Sequence, residues 1–508
     1  MIIIGNSCVY LYNRQMMHLD EETLRFIFGI KLRSLRSKKS LSLKELSKAS
    51  GLSPSYLNEI EKGKKYPKAD KIIVLSKVLG IDFEELTSLE LEQEMRTISK
   101  LLQGNLFQEI PFEIFGLPSS SIFELIAKYP NEMSGFFGTF LELARMYDIR
   151  VEDFFDSGLR NYLDHHRNIF PEIERAVDDF VQKNSISSDP ESCFKDLKNK
   201  ILPQLGINFE FKDFGKGSSE FNHLYFVRVG DCKIVLNDKL STREVNFILG
   251  REIGFKILNL KPKSLTSETK SVDSFDEFLD NFKASYFSGA LLVRRHKLCS
   301  QLEAWFSQKE FKGQDWIDIV QSYPGTFESV FHRTSQVLPQ HFEIDRLYLL
   351  RMDFNPLSST YNMSHELHLS ALHAPHANRA GESYCRRWVT TRISQDRKNQ
   401  RIVADGQVSK FYQSENTYFN LSISHPAEIN SVHSKNVTLG IQLNKNVKDK
   451  IKFLGANNFE IVTVGSTCER CSLQSCEERI KPCIKELAYN DEDYQSRLKK
   501  FINEMTLA

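Results

Sequence analysis

Four cysteines crowd into sixteen residues near the end of this 508-residue chain: Cys468, Cys471, Cys476 and Cys483. The spacing C-x2-C-x4-C-x6-C offers four soft thiolate donors, which suit either Zn2+ or an iron–sulfur cluster. Cys468 and Cys471 make the natural chelating pair and Cys476 is within reach, while Ile480-Lys481-Pro482 could turn Cys483 elsewhere. The alternative is four reduced thiols on a turn. Cys8, Cys193, Cys232, Cys299 and Cys385 are scattered. Without an export signal, this usage points to a reducing cytoplasm and a local ligand cluster instead of disulfides.

A second stretch, residues 246–255, sits where a zinc peptidase could hide. That chemistry needs two histidines at i and i+4 on one helical face, with a glutamate beside the first as general base. Glu252 is in place, but Arg251 and Phe255 stand where both histidines would be. Two imidazoles short, the stretch has no basis for holding Zn2+. No catalytic residue is expected, and Glu252 reads as a surface or salt-bridged carboxylate. The adjacent His165 and His166 diverge by about 100° on a helix and cannot easily grip one ion.

The third set can read a polyanion. Ser53, Pro54, Ser55, Tyr56, Asn58, Glu59 and Lys62 point outward from a short helix whose buried face is Leu57 and Ile60. Between Lys31 and Lys71, basic residues far outnumber Glu45, Glu59, Glu61 and Asp70. The whole chain carries a net charge of only +1, so any affinity for nucleic acid must come from this local patch. Ser55, Tyr56 and Glu59 are the candidates for base edges. Arg33, Arg36, Lys44, Lys62, Lys64 and Lys65 are the candidates for phosphates.

The elements that must position these residues follow from capping and periodicity. Ser42 with Glu45 three residues on makes a capping box, and Leu43, Leu46 and Ala49 recur at helical spacing. Gly51 can end that helix in a left-handed conformation. Ser53 caps the next, with Pro54 at its first position, where no amide donor is needed. A helix over residues 22–37 precedes this pair. Helices over 70–79 and 83–86 follow, the first ended by Gly80 and the second capped by Asp82. Short helix, tight turn and polar-faced helix make the geometry that enters a DNA major groove.

From 89 to about 184 the pattern is helical, amphipathic over 90–102 and broken at Pro130 and Pro171. The Ser- and Asp-rich segment 186–191 marks a boundary. Beyond it the period shortens to that of strands over 207–212, 223–229 and 232–236. Ser241 caps a helix through 258, and 276–294 reads as a strong helix, with further helices to about 337. Strands are expected over 346–353, 411–425 and 438–443, with a charged tail helix from Asp491. Residues 1–5 could form a small strand. No apolar run approaches the ~20 residues of a membrane span.

Residues 28–36, 41–63 and 66–86 together resemble lambda-repressor-like (Xre-type) DNA-binding domains, which are bundles of about five helices. Pro54 stands where relatives often carry a base-reading polar residue, and Leu43 replaces a common phosphate-binding one. Residues 246–255 and 284–292 resemble the IrrE/ImmA-type domain that often follows Xre domains, here without its metal ligands. With Cys468-x2-Cys471-x4-Cys476-x2-Arg479, Asn168-Ile169-Phe170-Pro171-Glu172-Ile173 and Cys385-Arg386-Arg387-Trp388, this order of parts resembles the bacterial regulators of short-chain fatty acid, propionate and glyoxylate metabolism. In the last motif Arg386 replaces the family's proline.

The fold class expected is multidomain, mainly α and then α+β. Residues 20–88 form the helix-turn-helix domain and 89–185 a helical linker or dimerisation region. A degenerate IrrE/ImmA-like domain fills 192–340, and a sensor domain with the cysteine cluster fills 341–508. The resemblance implies a cytoplasmic, homodimeric regulator of double-stranded DNA whose C-terminal half senses a short-chain acyl-CoA or related metabolite, or redox state through an iron–sulfur cluster. The alternatives are an ImmA-type regulatory metalloprotease, which needs the missing histidines, and a DNA-binding adaptor that takes no ligand.

Overall fold

The computed structural model describes residues 21–89, 119–146, 151–215, 223–230, 233–261, 266, 275–369, 381–395, 402–412, 414–426, 433–455 and 459–484, with a few positions between 496 and 503. The expected strand at 1–5, the amphipathic stretch 90–102, most of the tail helix, and Cys8 and Cys232 lie outside them. The chain divides into two compact units, residues 1–158 and 159–508.

Among its described residues the first unit begins with five helices: α1 (Glu21–Lys38), α2 (Leu43–Ser50), α3 (Pro54–Glu61), α4 (Ala69–Leu79) and α5 (Phe83–Thr87). Local chemistry sets their ends. Ser42 accepts from the Glu45 amide while its own amide donates to the Glu45 carboxylate. Gly51 takes φ +69°, a left-handed turn that only glycine enters without cost. Phe28, Leu32, Leu46, Leu57, Ile60, Ile72, Leu75 and Leu79 share one buried core. Burial of these side chains away from water is the main force closing the bundle. Gly29 lets α1 press against α3, because a Cβ there would run into the Ile60 carbonyl oxygen. Lys31 ties α1 to the end of the bundle, its Nζ donating to the carbonyls of Glu85 (2.7 Å) and Ser88 (2.9 Å). Helices α6 (Ser119–Lys128) and α7 (Pro130–Met146) follow, and α8 (Val151–His165) runs across the division.

The second unit continues with α9 (Pro171–Lys183) and α10 (Pro190–Asp196), which leads through a wider turn over Leu197–Ile201. A three-stranded sheet comes next, built from β1 (Asn208–Lys212), β2 (Phe226–Val229) and β3 (Lys233–Asn237), with β3 central, parallel to β1 and antiparallel to β2. Five helices follow: α11 (Thr242–Ile257), α12 (Phe275–Leu292), α13 (Arg295–Phe306), α14 (Gly313–Gln321) and α15 (Phe327–His341). Ser241 and Glu244 form the capping box of α11.

Beyond these, the described residues form a six-stranded sheet of β4 (Leu347–Asn355), β5 (Thr360–Leu369), β6 (Val403–Phe411), β7 (Thr417–Pro426), β8 (Ser434–Gln442) and β9 (Ile461–Val464), with α16 (Val389–Gln395) packed on it and two short helices over Lys445–Lys450 and Lys452–Gly455. Spatial order is β5-β4-β8-β7-β6-β9, antiparallel except for the β6–β9 pair. The expected 346–353 and 438–443 correspond to β4 and β8. The expected single strand 411–425 is mostly β7, and β5, β6 and β9 are additional.

Buried ion pairs bind the helices of this unit together and to the large sheet. Arg333 of α15 holds Glu174 of α9 with two bonds (2.6 and 2.9 Å), and the Tyr286 hydroxyl of α12 donates to the same carboxylate. Lys435 of β8 donates to Glu244 of α11 at 2.8 Å. Segments 192–340 and 341–508, expected as separate domains, therefore share one compact unit. Among the described residues, no helix is long and apolar enough to cross a membrane.

Candidate functional site

The polar face of α3 is built from its N-terminus. The Ser53 hydroxyl accepts from the Tyr56 amide at 3.2 Å, so Ser53 itself serves as the cap. Leu57 and Ile60 are fully buried, which fixes the rotation of the helix. Pro54 and Ser55 are left exposed, and Tyr56, Asn58 and Glu59 are half-exposed. Lys44, Lys62, Lys64 and Lys65 are exposed around this face and Arg33 is half-buried. Lys65 bridges two of the candidate base-edge residues: its Nζ lies 2.8 Å from Glu59 and 5.9 Å from the Tyr56 ring centre. Glu59 raises the Lys65 ammonium above its ordinary value.

Arg36 differs from the other basic candidates. Its guanidinium clasps Glu61 with Nε and Nη2 (2.6 and 2.9 Å) and gives Nη1 to the Leu41 carbonyl at 2.7 Å. Glu61 raises the arginine further still. This side chain is committed to holding α1 against the end of α3 instead of reaching outward.

In α11, Glu252 is buried against Arg228 of β2 with paired bonds of 2.6 and 2.8 Å. The Arg228 guanidinium also lies over the Phe255 ring, at 5.7 Å. Arg251 donates to the Asn281 side chain at 3.0 Å and stacks over Phe226, and burial lowers its proton affinity. Glu252 is thus salt-bridged, and buried instead of superficial. The positive charge opposite it is a guanidinium from β2.

The cysteine region is stitched to a distant segment. Tyr384 pairs with Thr467 in an isolated antiparallel bridge. The Cys385 amide donates to Ser466 O (3.1 Å) and the Cys468 amide to Ser383 O (2.8 Å). The Glu469 carboxylate accepts from the Ser383 amide, and Trp388 Nε1 donates to the Gly465 carbonyl at 2.8 Å. Arg479 braces the loop by donating to the carbonyls of Cys468, Cys471 and Leu473.

Cys385, Cys468, Cys471 and Cys476 consequently line one small cavity, together with Arg386 and Arg479. Cys483 is buried but is not among its walls. Burial pushes the Cys385 thiol up to about 11, against a backbone donor from Gly465, with Cys468 and Cys471 adding to the rise. All described cysteines are free thiols. No three His, Cys, Asp or Glu side chains among the described residues converge on a single-ion site.

Of the residues singled out from sequence, the structure gathers the α3 face and its lysine rim, and it gathers three of the four clustered cysteines. Cys385 and the Arg228 partner of Glu252 were not foreseen. The Cys-x2-Trp motif around Cys385 was the available signal for the first.

Comparison with known proteins bears on the first unit. Residues 32–86 match the helix-turn-helix family. No curated protein matches the chain. Among solved structures, a Mycobacterium tuberculosis transcriptional regulator is similar at 16% identity over 65% of this chain and 94% of that one, with a TM-score of 0.46. The apo form of the competence regulator ComR from Streptococcus vestibularis is similar at 14% identity, over 62% of this chain and 98% of that one, with a TM-score of 0.12. Scores this low carry no argument about this chain. Residues 32–86 form a helix-turn-helix DNA-binding domain.

Proposed function

We propose that the protein is a sequence-specific transcriptional regulator that binds double-stranded DNA as a homodimer. The observation that carries this reading is the polar, lysine-rimmed outer face of α3 on a well-packed helix-turn-helix core. Ser55, Tyr56 and Glu59 read base edges, with Ser53, Pro54 and Asn58 shaping the same surface. Arg33, Lys44, Lys62, Lys64 and Lys65 meet phosphates. Arg36 acts at one remove, by positioning α3. One such domain covers too little DNA for tight binding, so a two-fold pair on half-sites about one helical turn apart is the natural arrangement. Genome-wide footprinting with the full chain tests this. Loss of footprints in a Tyr56→Ala, Lys64→Ala double variant is the expected result, and unchanged footprints would remove α3 from the interface.

The C-terminal half is the sensor in this reading, responding to a short-chain acyl-CoA or to redox state. It shifts DNA binding only if its effector binds one conformation better than another. The cysteine cavity supports the redox arm. Its lining of four cysteines is the soft donor set that an iron–sulfur centre takes. Gly465 supports that fit, because a Cβ there would lie 2.9 Å from Cys471 Sγ. Such a centre would supply one-electron chemistry. Residues 246–255 carry no catalytic role in this proposal, since Glu252 is neutralised by Arg228. A thermal-shift screen against CoA esters, run beside anaerobic iron and sulfide analysis, separates the two arms.

A further inference from the structure

We propose that Cys385, 83 positions upstream of Cys468, is the fourth thiolate of the iron–sulfur site, and that Cys483 is not a ligand. This rests on the cluster reading above. In the antiparallel Tyr384–Thr467 bridge, Cys385 lies opposite Ser466, and Cys468 lies opposite Ser383. Side chains alternate across such a pair, so Cys385 and Cys468 project from the same face as diagonal neighbours. Diagonal neighbours have Cα atoms about 7–8 Å apart. That is too wide for a direct disulfide and suits two thiolates on opposite sides of a cluster. Cys471 and Cys476 complete the ring of sulfur around the same cavity.

The surroundings suit this role. The Gly465 amide donates to Cys385 Sγ at 3.4 Å, the kind of N–H to sulfur contact that tunes cluster potential. Arg386, Arg387 and Arg479 border the cavity beside the single carboxylate of Glu478, and Arg479 fixes the loop through the carbonyls of Cys468, Cys471 and Leu473. These cations offset the charge of four thiolates. Cys483 has the shorter sequence distance but lies outside these walls. Linear spacing therefore selects the wrong fourth cysteine.

The experiment compares full-length wild type, Cys385→Ser and Cys483→Ser, purified without oxygen. The readouts are iron, acid-labile sulfide and zinc per chain, visible absorption, and electron paramagnetic resonance after reduction. Circular dichroism of each protein serves as the fold control. Expected are iron and sulfide in wild type and in Cys483→Ser, with most of both lost or the resonance altered in Cys385→Ser. The reverse pattern, with Cys385→Ser spectroscopically identical to wild type and Cys483→Ser empty, overturns the ligand assignment while leaving the cluster reading intact. A wild type without iron, or with zinc in its place, overturns the cluster reading and the assignment with it. Gly465→Ala keeps every thiol and covers the case in which Cys385→Ser does not fold. Its added methyl should lower iron occupancy several-fold, and full occupancy would show that this cavity is not the site.

Discussion

In the proposed interface Tyr56 and Lys64 take the two tasks of a DNA-reading surface, choosing a sequence and holding the backbone. Tyr56→Ala should cut the preference for the best operator by about 1–3 kcal/mol, because base contacts carry the discrimination. Lys64→Ala should weaken all sequences alike and lower the slope of log affinity against log salt by about one. Titrations of an operator and a scrambled duplex at several salt concentrations check both. A Tyr56→Ala protein with intact discrimination would take that ring out of base readout.

Arg36 belongs to stability instead. Its pair with Glu61 is largely shielded, at 14% and 5% side-chain exposure. Removing one partner from such a pair leaves a poorly solvated charge behind. Arg36→Met should therefore cost roughly 2–4 kcal/mol in folding of the first unit, allowing for the partial exposure of the arginine. Denaturant unfolding of wild type and variant measures it. DNA affinity should fall only as far as α3 loses its place.

At the scale of elements, legibility tracks how local the determining contacts are. The caps of α2 and α3 could be read from Ser42, Glu45, Ser53 and Pro54, because every partner lies within three residues. The Arg36–Glu61 clasp spans 25 residues, and nothing in either flank signals it. Strand β6 was hidden for another reason. Its Asp405-Gly406 looks like a turn, but Gly406 is there to admit the rings of Phe419 and Phe311, which a Cβ would meet at 2.8 and 2.9 Å. Strand β5 does alternate, with Tyr361, Met363, Leu367 and Leu369 set against Asn362, Ser364, Glu366 and His368, but His365 breaks the apolar row beside a register shift against β4. Gly406→Ala should then destabilise the second unit by about 1–3 kcal/mol through overpacking, read as a lower denaturant midpoint with an unchanged slope. Cys385 escaped for the same reason as the clasp: a single backbone bridge brings it to Cys468.

The whole molecule carries a titration built into its second unit. Burial, with His332 close by, lowers His365 to about 4, and burial with Lys435 nearby lowers His425 to about 4. In the unfolded chain a histidine titrates near 6.5. Between about pH 6.5 and 4, the unfolded state therefore binds more protons than the native one, and stability falls as the pH drops. Glu328 adds to this at lower pH. Burial alone would raise it, but Arg351 at 3.2 Å and His332 hold it well below the usual carboxylate range. Its contribution is present above the ordinary carboxylate value and fades as the pH falls further. Unfolding free energies from pH 7.5 to 4 should decline by roughly 1–3 kcal/mol per histidine, and His365→Gln should flatten part of that slope. Calorimetry on the full chain should resolve two transitions for the two compact units. Arg36→Met should shift one of them and leave the other in place.

The Arg228–Glu252 pair has a consequence for how this chain could change over generations. Acquiring a two-histidine metal pattern in residues 246–255 would require histidines in place of both Arg251 and Phe255, and also the departure of Arg228. Losing Arg228 first strands a carboxylate that is 7% exposed, at about 3–5 kcal/mol, a large share of the stability of an ordinary domain. Gaining the histidines first leaves the guanidinium in possession of the glutamate. Each single step is either harmful or without benefit, so the pair works as a ratchet. The pair thus sets a free-energy barrier against placing a metal ion beside Glu252 by single substitutions.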